Sequence, residues 1–127
     1  MPTLTNKQNG IGIKRIFKAT ICSYYGFRAA WTHESAFRQE LIMAIVLMPM
    51  TFLLADSSNH WLLLFGSILF VLFAEVVNSA LEALADSITL ERHALIGRAK
   101  DLGSSAVFIA LSFLLIVWGE AIIRYFD

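Results

Sequence analysis

Three apolar segments constrain this chain more than anything else in it: "LIMAIVLMPMTFLLA" (Leu41–Ala55), "WLLLFGSILFVLFA" running on to Ala85, and "GSSAVFIALSFLLIVWG" (Gly103–Gly119). A helix needs about 20 mostly apolar residues to cross a bilayer. The first segment reaches that length by borrowing "SAFRQE", where Arg38 and Glu40 can snorkel to the headgroups. Pro49 permits a kink there, which membrane helices tolerate when neighbouring groups satisfy the freed carbonyl. With 57% hydrophobic and only 16% charged residues, the chain departs from the roughly 45–50% apolar, 25% charged soluble average. The expectation is an all-α membrane protein of one domain, residues 1–127. Residues 1–33 carry a cytoplasmic surface helix, and a helical bundle is formed by spans at 34–56, 61–86 and 97–123.

The basic residues set the orientation. Lys7, Lys14, Arg15, Lys18, Arg28 and Arg38 precede the first span, and Arg92, Arg98 and Lys100 lie between the second and third. The turn "DSSNH" has no Lys or Arg, and only Arg124 follows the third span. Basic residues near spans favour the cytoplasmic side, which places the N-terminus and the second loop inside and the C-terminus outside. Ile13, Ile16, Phe17, Ile21 and Tyr24 fall near helical spacing with Lys14, Arg15 and Lys18 off that stripe, the pattern of an interfacial amphipathic helix. The polar start "MPTLTNKQNG" does not read as a removable signal peptide. The single cysteine, Cys22, excludes an intrachain disulfide. Ten basic and ten acidic side chains cancel, so the total charge points to no nucleic-acid partner.

Against that apolar background stands "AEVVNSALEALAD" (Ala74–Asp86), in which Glu75, Asn78, Glu82 and Asp86 follow one another at intervals of three, four and four. On a helix those intervals stack all four polar groups on one stripe. If the helix starts near Trp61, a rise of about 1.5 Å per residue puts Glu75 roughly 21 Å into a hydrocarbon core about 30 Å thick. A central acid costs about 2.5–3.5 kcal/mol on insertion scales. Alone, Glu75 would serve as a protonated helix–helix contact with Asn78 as its partner. Four polar groups descending from lipid depth to the cytosol describe something more: an acid able to act on a lipid headgroup, leading to acids able to hold a charged, water-soluble substrate. Three helices leave such a stripe poorly enclosed, which argues for an oligomer.

Further charged groups gather on the same side. His93, Gly97, Lys100, Asp101 and Ser104 share a helix face, and "WTHESAFRQE" adds His33, Glu34, Arg38 and Glu40. Hard carboxylate oxygens suit Mg²⁺, which commonly bridges one or two carboxylates to substrate phosphates, while cations neutralise the remaining phosphate charge. These are the parts phosphoryl transfer requires. Neither a G-x-x-x-x-G-K-[ST] loop nor a protein-kinase H-R-D set is present.

"EVVNSALEALAD" (Glu75–Asp86) resembles the signature of the prokaryotic integral-membrane diacylglycerol kinases. "RAAWTHESAFRQE" (Arg28–Glu40) and "GRAKDLGSSAV" (Gly97–Val107) resemble that family's other blocks, in the same order. The resemblance implies a homotrimer of three-span subunits in the bacterial inner membrane, transferring the γ-phosphate of MgATP to diacylglycerol to give phosphatidic acid. It implies Glu75 as the general base on the lipid, with Glu34 and Glu82 holding Mg²⁺ on the phosphates. It also implies nucleotide contacts from Arg15, Cys22, Glu34, Glu82, Glu91, Arg92, His93, Lys100 and Asp101. Lipid contacts would come from Arg28, Ala29, Ala30, Trp31, Ser35, Ala36, Phe37, Arg38, Gln39, Glu75 and Ser104, with Asn78, Asp86 and Glu40 supporting the polar network. The chain departs from the family pattern at Cys22, where tyrosine is more usual, and at Arg92.

Two other readings remain at this point. An undecaprenol-type polyprenol kinase would share fold and chemistry. A small cation channel would be lined by Glu75 and Glu82, although the outer half, "WLLLFGSILFVLF", offers it only Ser67.

Overall fold

The structure is a computed structural model and describes residues 10–127. Lys7, counted above among the orienting basic residues, lies outside the described residues. The elements are α1 (Ile13–His33), α2 (Ser35–Leu54), α3 (Ser58–Ile88) and α4 (Ala94–Phe126), with no strand among the described residues. Helices α2, α3 and α4 are each long and apolar enough to cross a membrane. The all-helical, three-span fold expected from the apolar segments is therefore the observed one.

The chain divides into two units, one containing α1 and the other running from Glu34 to Asp127. Helix α1 starts after Gly12, whose φ of 68° is open to glycine without a Cβ penalty. The Gly12 carbonyl accepts the Arg15 N–H at 3.1 Å. Ile13, Ile16, Phe17, Ile21 and Tyr24 are all exposed on this helix.

In the second unit, α3 packs chiefly on α4, and α2 lies along α3. Its core is a column of Ala44, Leu54, Leu64, Ile68, Val71, Ala74, Ala110, Leu114, Val117, Trp118 and Ala121. Leu64, Ile68 and Val71 are at most 1% exposed, which closes the half of α3 nearest the α2–α3 turn. Two polar contacts tie the helices within this region. Trp118 Nε1 donates to Ser67 Oγ at 3.1 Å, and Ser67 in turn donates to the Leu64 carbonyl at 2.7 Å. Trp61 Nε1 donates to Thr51 Oγ1 at 2.9 Å, linking α3 to α2. Helix α2 runs through Pro49 without ending. Away from the core, large apolar side chains such as Ile45, Phe73, Phe108, Leu115 and Ile116 remain exposed, the surface a span presents to lipid or to other subunits.

The α2–α3 turn is built from capping and charge. Ser57 Oγ accepts the His60 N–H at 3.1 Å and caps α3. Asp56 pairs with Arg124 near the end of α4, and Arg124 Nε also reaches Glu120 Oε1 at 2.6 Å. Desolvation pushes the Asp56 carboxyl up, but the charges of His60 and Arg124 and the hydrogen bonds from Arg124 and Ser57 outweigh it and hold it below the usual aspartate value.

Two outcomes are expected. Trp118→Phe keeps the ring but loses the bond to Ser67, and should destabilise the solubilised protein by about 0.6–1.7 kcal/mol, read from its unfolding equilibrium. The lowered carboxyl of Asp56 stabilises the fold above its ordinary value of 3.8, and that contribution fades as the pH falls through the depressed value. Asp56→Asn should thus lower the thermal midpoint at neutral pH and match the parent protein in strong acid.

Candidate active site

Burial falls steadily along the polar stripe of α3. Glu75 is 4% exposed and Asn78 8%, Glu82 is half-buried, and Asp86 lies at the surface. The gradient inferred from the spacing of these residues is present in three dimensions. Glu75 sits beyond the closed column of Leu64, Ile68 and Val71, one helical turn after Val71.

Glu75 is also the centre of an acid cluster. Glu40 of α2 feels its charge, as do Glu34 ahead of α2 and Glu82 one and a half to two turns further along α3. Glu40 Oε2 and Asn78 Oδ1 are buried with no hydrogen-bond partner inside the chain. Asn78 Nδ2 donates to Glu82 Oε1 at a long 3.4 Å. Four carboxylates so placed repel one another, and in a medium of low polarity they call for protons or a cation between them. Among the described residues no group of three or more His, Cys, Asp or Glu side chains converges to hold a metal unaided. The donor set is instead of the kind Mg²⁺ uses with a phosphate chain, one or two carboxylates completed by substrate oxygens.

Where α3 ends, Lys100 Nζ of α4 meets Asp86 Oδ1 at 2.6 Å. Next to this pair opens a cavity of about 620 Å³, lined by Thr89, Glu91, Arg92, His93, Lys100 and Asp101 among others. Five of the six nucleotide-side residues expected from the α3–α4 region, Glu91, Arg92, His93, Lys100 and Asp101, line this one cavity, and Glu82 of α3 does not. The loop that shapes it is ordered by Thr89, whose Oγ1 accepts the Glu91 N–H at 3.0 Å. His93 is the N-cap of α4, and its Nδ1 accepts the Leu95 N–H at 3.2 Å. An accepting Nδ1 leaves the ring proton on Nε2, available to donate to an anion.

The remaining sequence-derived residues fall into two groups. Ser35, Ala36, Phe37, Arg38 and Gln39 form the first turns of α2, with Phe37 buried at 3% exposure, and Ser104 lies exposed on α4. Arg15, Cys22, Arg28, Ala29, Ala30 and Trp31 lie on α1, in the other unit. Sequence reasoning passed over Arg98 and Thr89, both of which line the cavity. Arg98 lies in the same basic stretch that sets the orientation, where a charge by itself signals topology and not a binding role.

The fold and the site define a polytopic helical membrane protein that carries a buried acid cluster leading to a charged cavity. The profile of the prokaryotic diacylglycerol kinase family matches residues 21–122. Over 108 residues, 85% of this chain and 92% of the other, it is 44% identical to the diacylglycerol kinase of Haemophilus influenzae. The diacylglycerol kinase of Pseudomonas aeruginosa is 43% identical over 112 residues, 88% of this chain and 91% of its own. That of Helicobacter pylori strain 26695 is 36% identical over 115 residues, 91% and 90% respectively. The chain belongs to the prokaryotic diacylglycerol kinase family, and is a kinase.

Relieving the acid cluster has a consequence for stability. Glu75→Gln removes one charge from a crowded, poorly solvated group, so the variant should unfold at a temperature equal to or above that of the parent protein, as measured by thermal aggregation in detergent.

Proposed function

We propose that this chain is a lipid kinase that transfers the γ-phosphate of ATP to the hydroxyl of diacylglycerol, giving phosphatidic acid. The observation that carries the reading is the position of Glu75: buried at span depth, surrounded by Glu34, Glu40 and Glu82, and continuous along α3 with the charged cavity. The relatives' shared name supplies the acceptor.

In this reading Glu75 accepts the proton of the lipid hydroxyl as its oxygen attacks the γ-phosphorus. The bond from that phosphorus to the β-bridging oxygen breaks, and ADP leaves. A carboxyl held in an apolar groove is a better proton acceptor near neutral pH than an exposed glutamate. Glu34 and Glu82 would hold Mg²⁺, which would supply neutralisation of the phosphate charge. Lys100, Arg92 and the Nε2–H of His93 meet the phosphate oxygens, with Glu91 and Asp101 completing the cavity wall. Asp86 keeps Lys100 in place, and Asn78 steadies Glu82.

Arg15 and Cys22 of α1 complete the nucleotide side. Arg28, Ala29, Ala30 and Trp31 of α1, with Ser35, Ala36, Phe37, Arg38 and Gln39 of α2 and Ser104 of α4, border the lipid, and Glu40 supports the acid cluster. The chain works as a homotrimer, as the resemblance to the family implies, and the large apolar side chains that one bundle leaves exposed are open to contact with lipid and with the other subunits. Residues 1–127 form a single kinase domain in the bacterial inner membrane, with the N-terminus and the cavity on the cytoplasmic side, where ATP is found.

The test is transfer of labelled γ-phosphate from MgATP in mixed micelles, with diacylglycerol and a polyprenol supplied in competition. Phosphatidic acid should carry the label, and Glu75→Gln should reduce the rate by roughly 10²–10⁴-fold, the usual worth of a positioned base. Lys100→Met should leave the thermal midpoint nearly unchanged, since both partners of its ion pair are half exposed, yet cost roughly 100-fold in rate. Label on the polyprenol alone would reassign the acceptor, and label on neither lipid from folded protein would overturn the reading.

A further inference from the structure

Gly103 is buried on α4 and faces Asn78 of the polar stripe. A Cβ built there would collide with Asn78 Oδ1 and would stand 3.4 Å from Asn78 Cγ and from Leu81 Cδ1. The side chain of Asn78 thus occupies the space that any other residue at 103 would need. No such neighbour lies within 4 Å at Gly97 or Gly119 on the same helix. Helix propensity alone disfavours glycine at all three positions, and only at Gly103 does packing supply a reason for it.

The Asn78 amide is oriented in an unusual way. Its buried Oδ1 has no hydrogen-bond partner within the chain, and its Nδ2 donates to Glu82 Oε1 at 3.4 Å. An uncompensated buried oxygen is costly and would normally be relieved by rotation of the side chain. The shape of the α3–α4 contact therefore fixes the rotamer, with Glu82 receiving the donor. The nearest atoms facing Gly103 belong to Asn78 and Leu81, so its influence on Glu82 passes through the amide of Asn78.

We propose that Gly103 is a positioning residue for the metal–phosphate end of the site, acting through Asn78 to hold Glu82. The proposal rests on the assignment of Glu82 as a metal-holding group. Loss of a partner that orients a ligand typically weakens metal binding by 10–100-fold.

The experiment measures binding of Mn²⁺, by electron paramagnetic resonance, to the purified full-length protein saturated with a non-hydrolysable ATP analogue. Gly103→Ala should weaken Mn²⁺ binding by roughly 10-fold and raise the Mg²⁺ needed for half-maximal rate, with KM for diacylglycerol unchanged. Gly119→Ala, on the same helix with open space around it, should change neither. In an Asn78→Ala background, where the colliding atoms are gone, Gly103→Ala should add less than about a twofold effect, as expected for residues that act through one contact.

Equal losses in both backgrounds, or normal binding by folded Gly103→Ala protein, would overturn the proposal. If Gly103→Ala fails to fold, recovery of the fold by Asn78→Ala would support the contact, and failure of both variants would overturn it. Glu82→Gln separates the two layers of argument. Normal Mn²⁺ binding by that variant would remove the metal assignment of Glu82 and the proposal with it. Weakened binding by Glu82→Gln beside normal binding by Gly103→Ala would remove the proposal alone.

Discussion

The placement of one carboxyl, that of Glu75, inside an apolar bundle is the constraint around which the rest of the molecule is arranged. An acid at that depth is tolerated only where something other than lipid receives it. Helix α4 covers α3 most extensively, α2 brings Glu40 to the same place, and the stripe continues through Asn78 and Glu82 until it meets solvent at Asp86. Each step outward is more exposed than the last, so charge is accommodated first by protein and then by water. The ion pair of Asp86 with Lys100 closes the far end of that gradient and joins it to the cavity.

Much of this was legible in the amino-acid sequence, because the signals involved are local and periodic. Apolar runs of span length predict the three long helices, and the three–four–four spacing of Glu75, Asn78, Glu82 and Asp86 predicts a single stripe. The burial gradient follows from the same spacing once one end of the helix is placed in lipid. His93, Lys100 and Asp101 could be grouped by helical spacing, although the role of His93 as the cap of α4 could not be read from its type. Histidine is not among the usual capping residues.

What the sequence did not display are the contacts between residues far apart in the chain. Trp118 and Ser67 look like ordinary members of apolar helices, and nothing local says that the indole reaches that hydroxyl. Asp56 reads as a turn residue, yet its charge is matched by Arg124, which lies 68 residues further along the chain near the end of α4. Gly103 reads as one of several glycines scattered through a membrane helix, where small residues are common. Its meaning depends on which α3 side chain lies across from it, and that depends on the register of two helices packed together.

The closed column of Leu64, Ile68 and Val71, sealed further by the Trp118–Ser67 bond, also bears on the energetics of the cell that houses such a protein. A membrane that stores energy as a proton gradient cannot afford a continuous wire of titratable groups from one face to the other. Here the acids of the α3 stripe lie on one side of that apolar column, and Asp56 and Glu120 lie on the other. No acid stands on α3 between Ser58 and Glu75, so the stripe is a ladder that stops part-way along its helix and not one that runs its whole length.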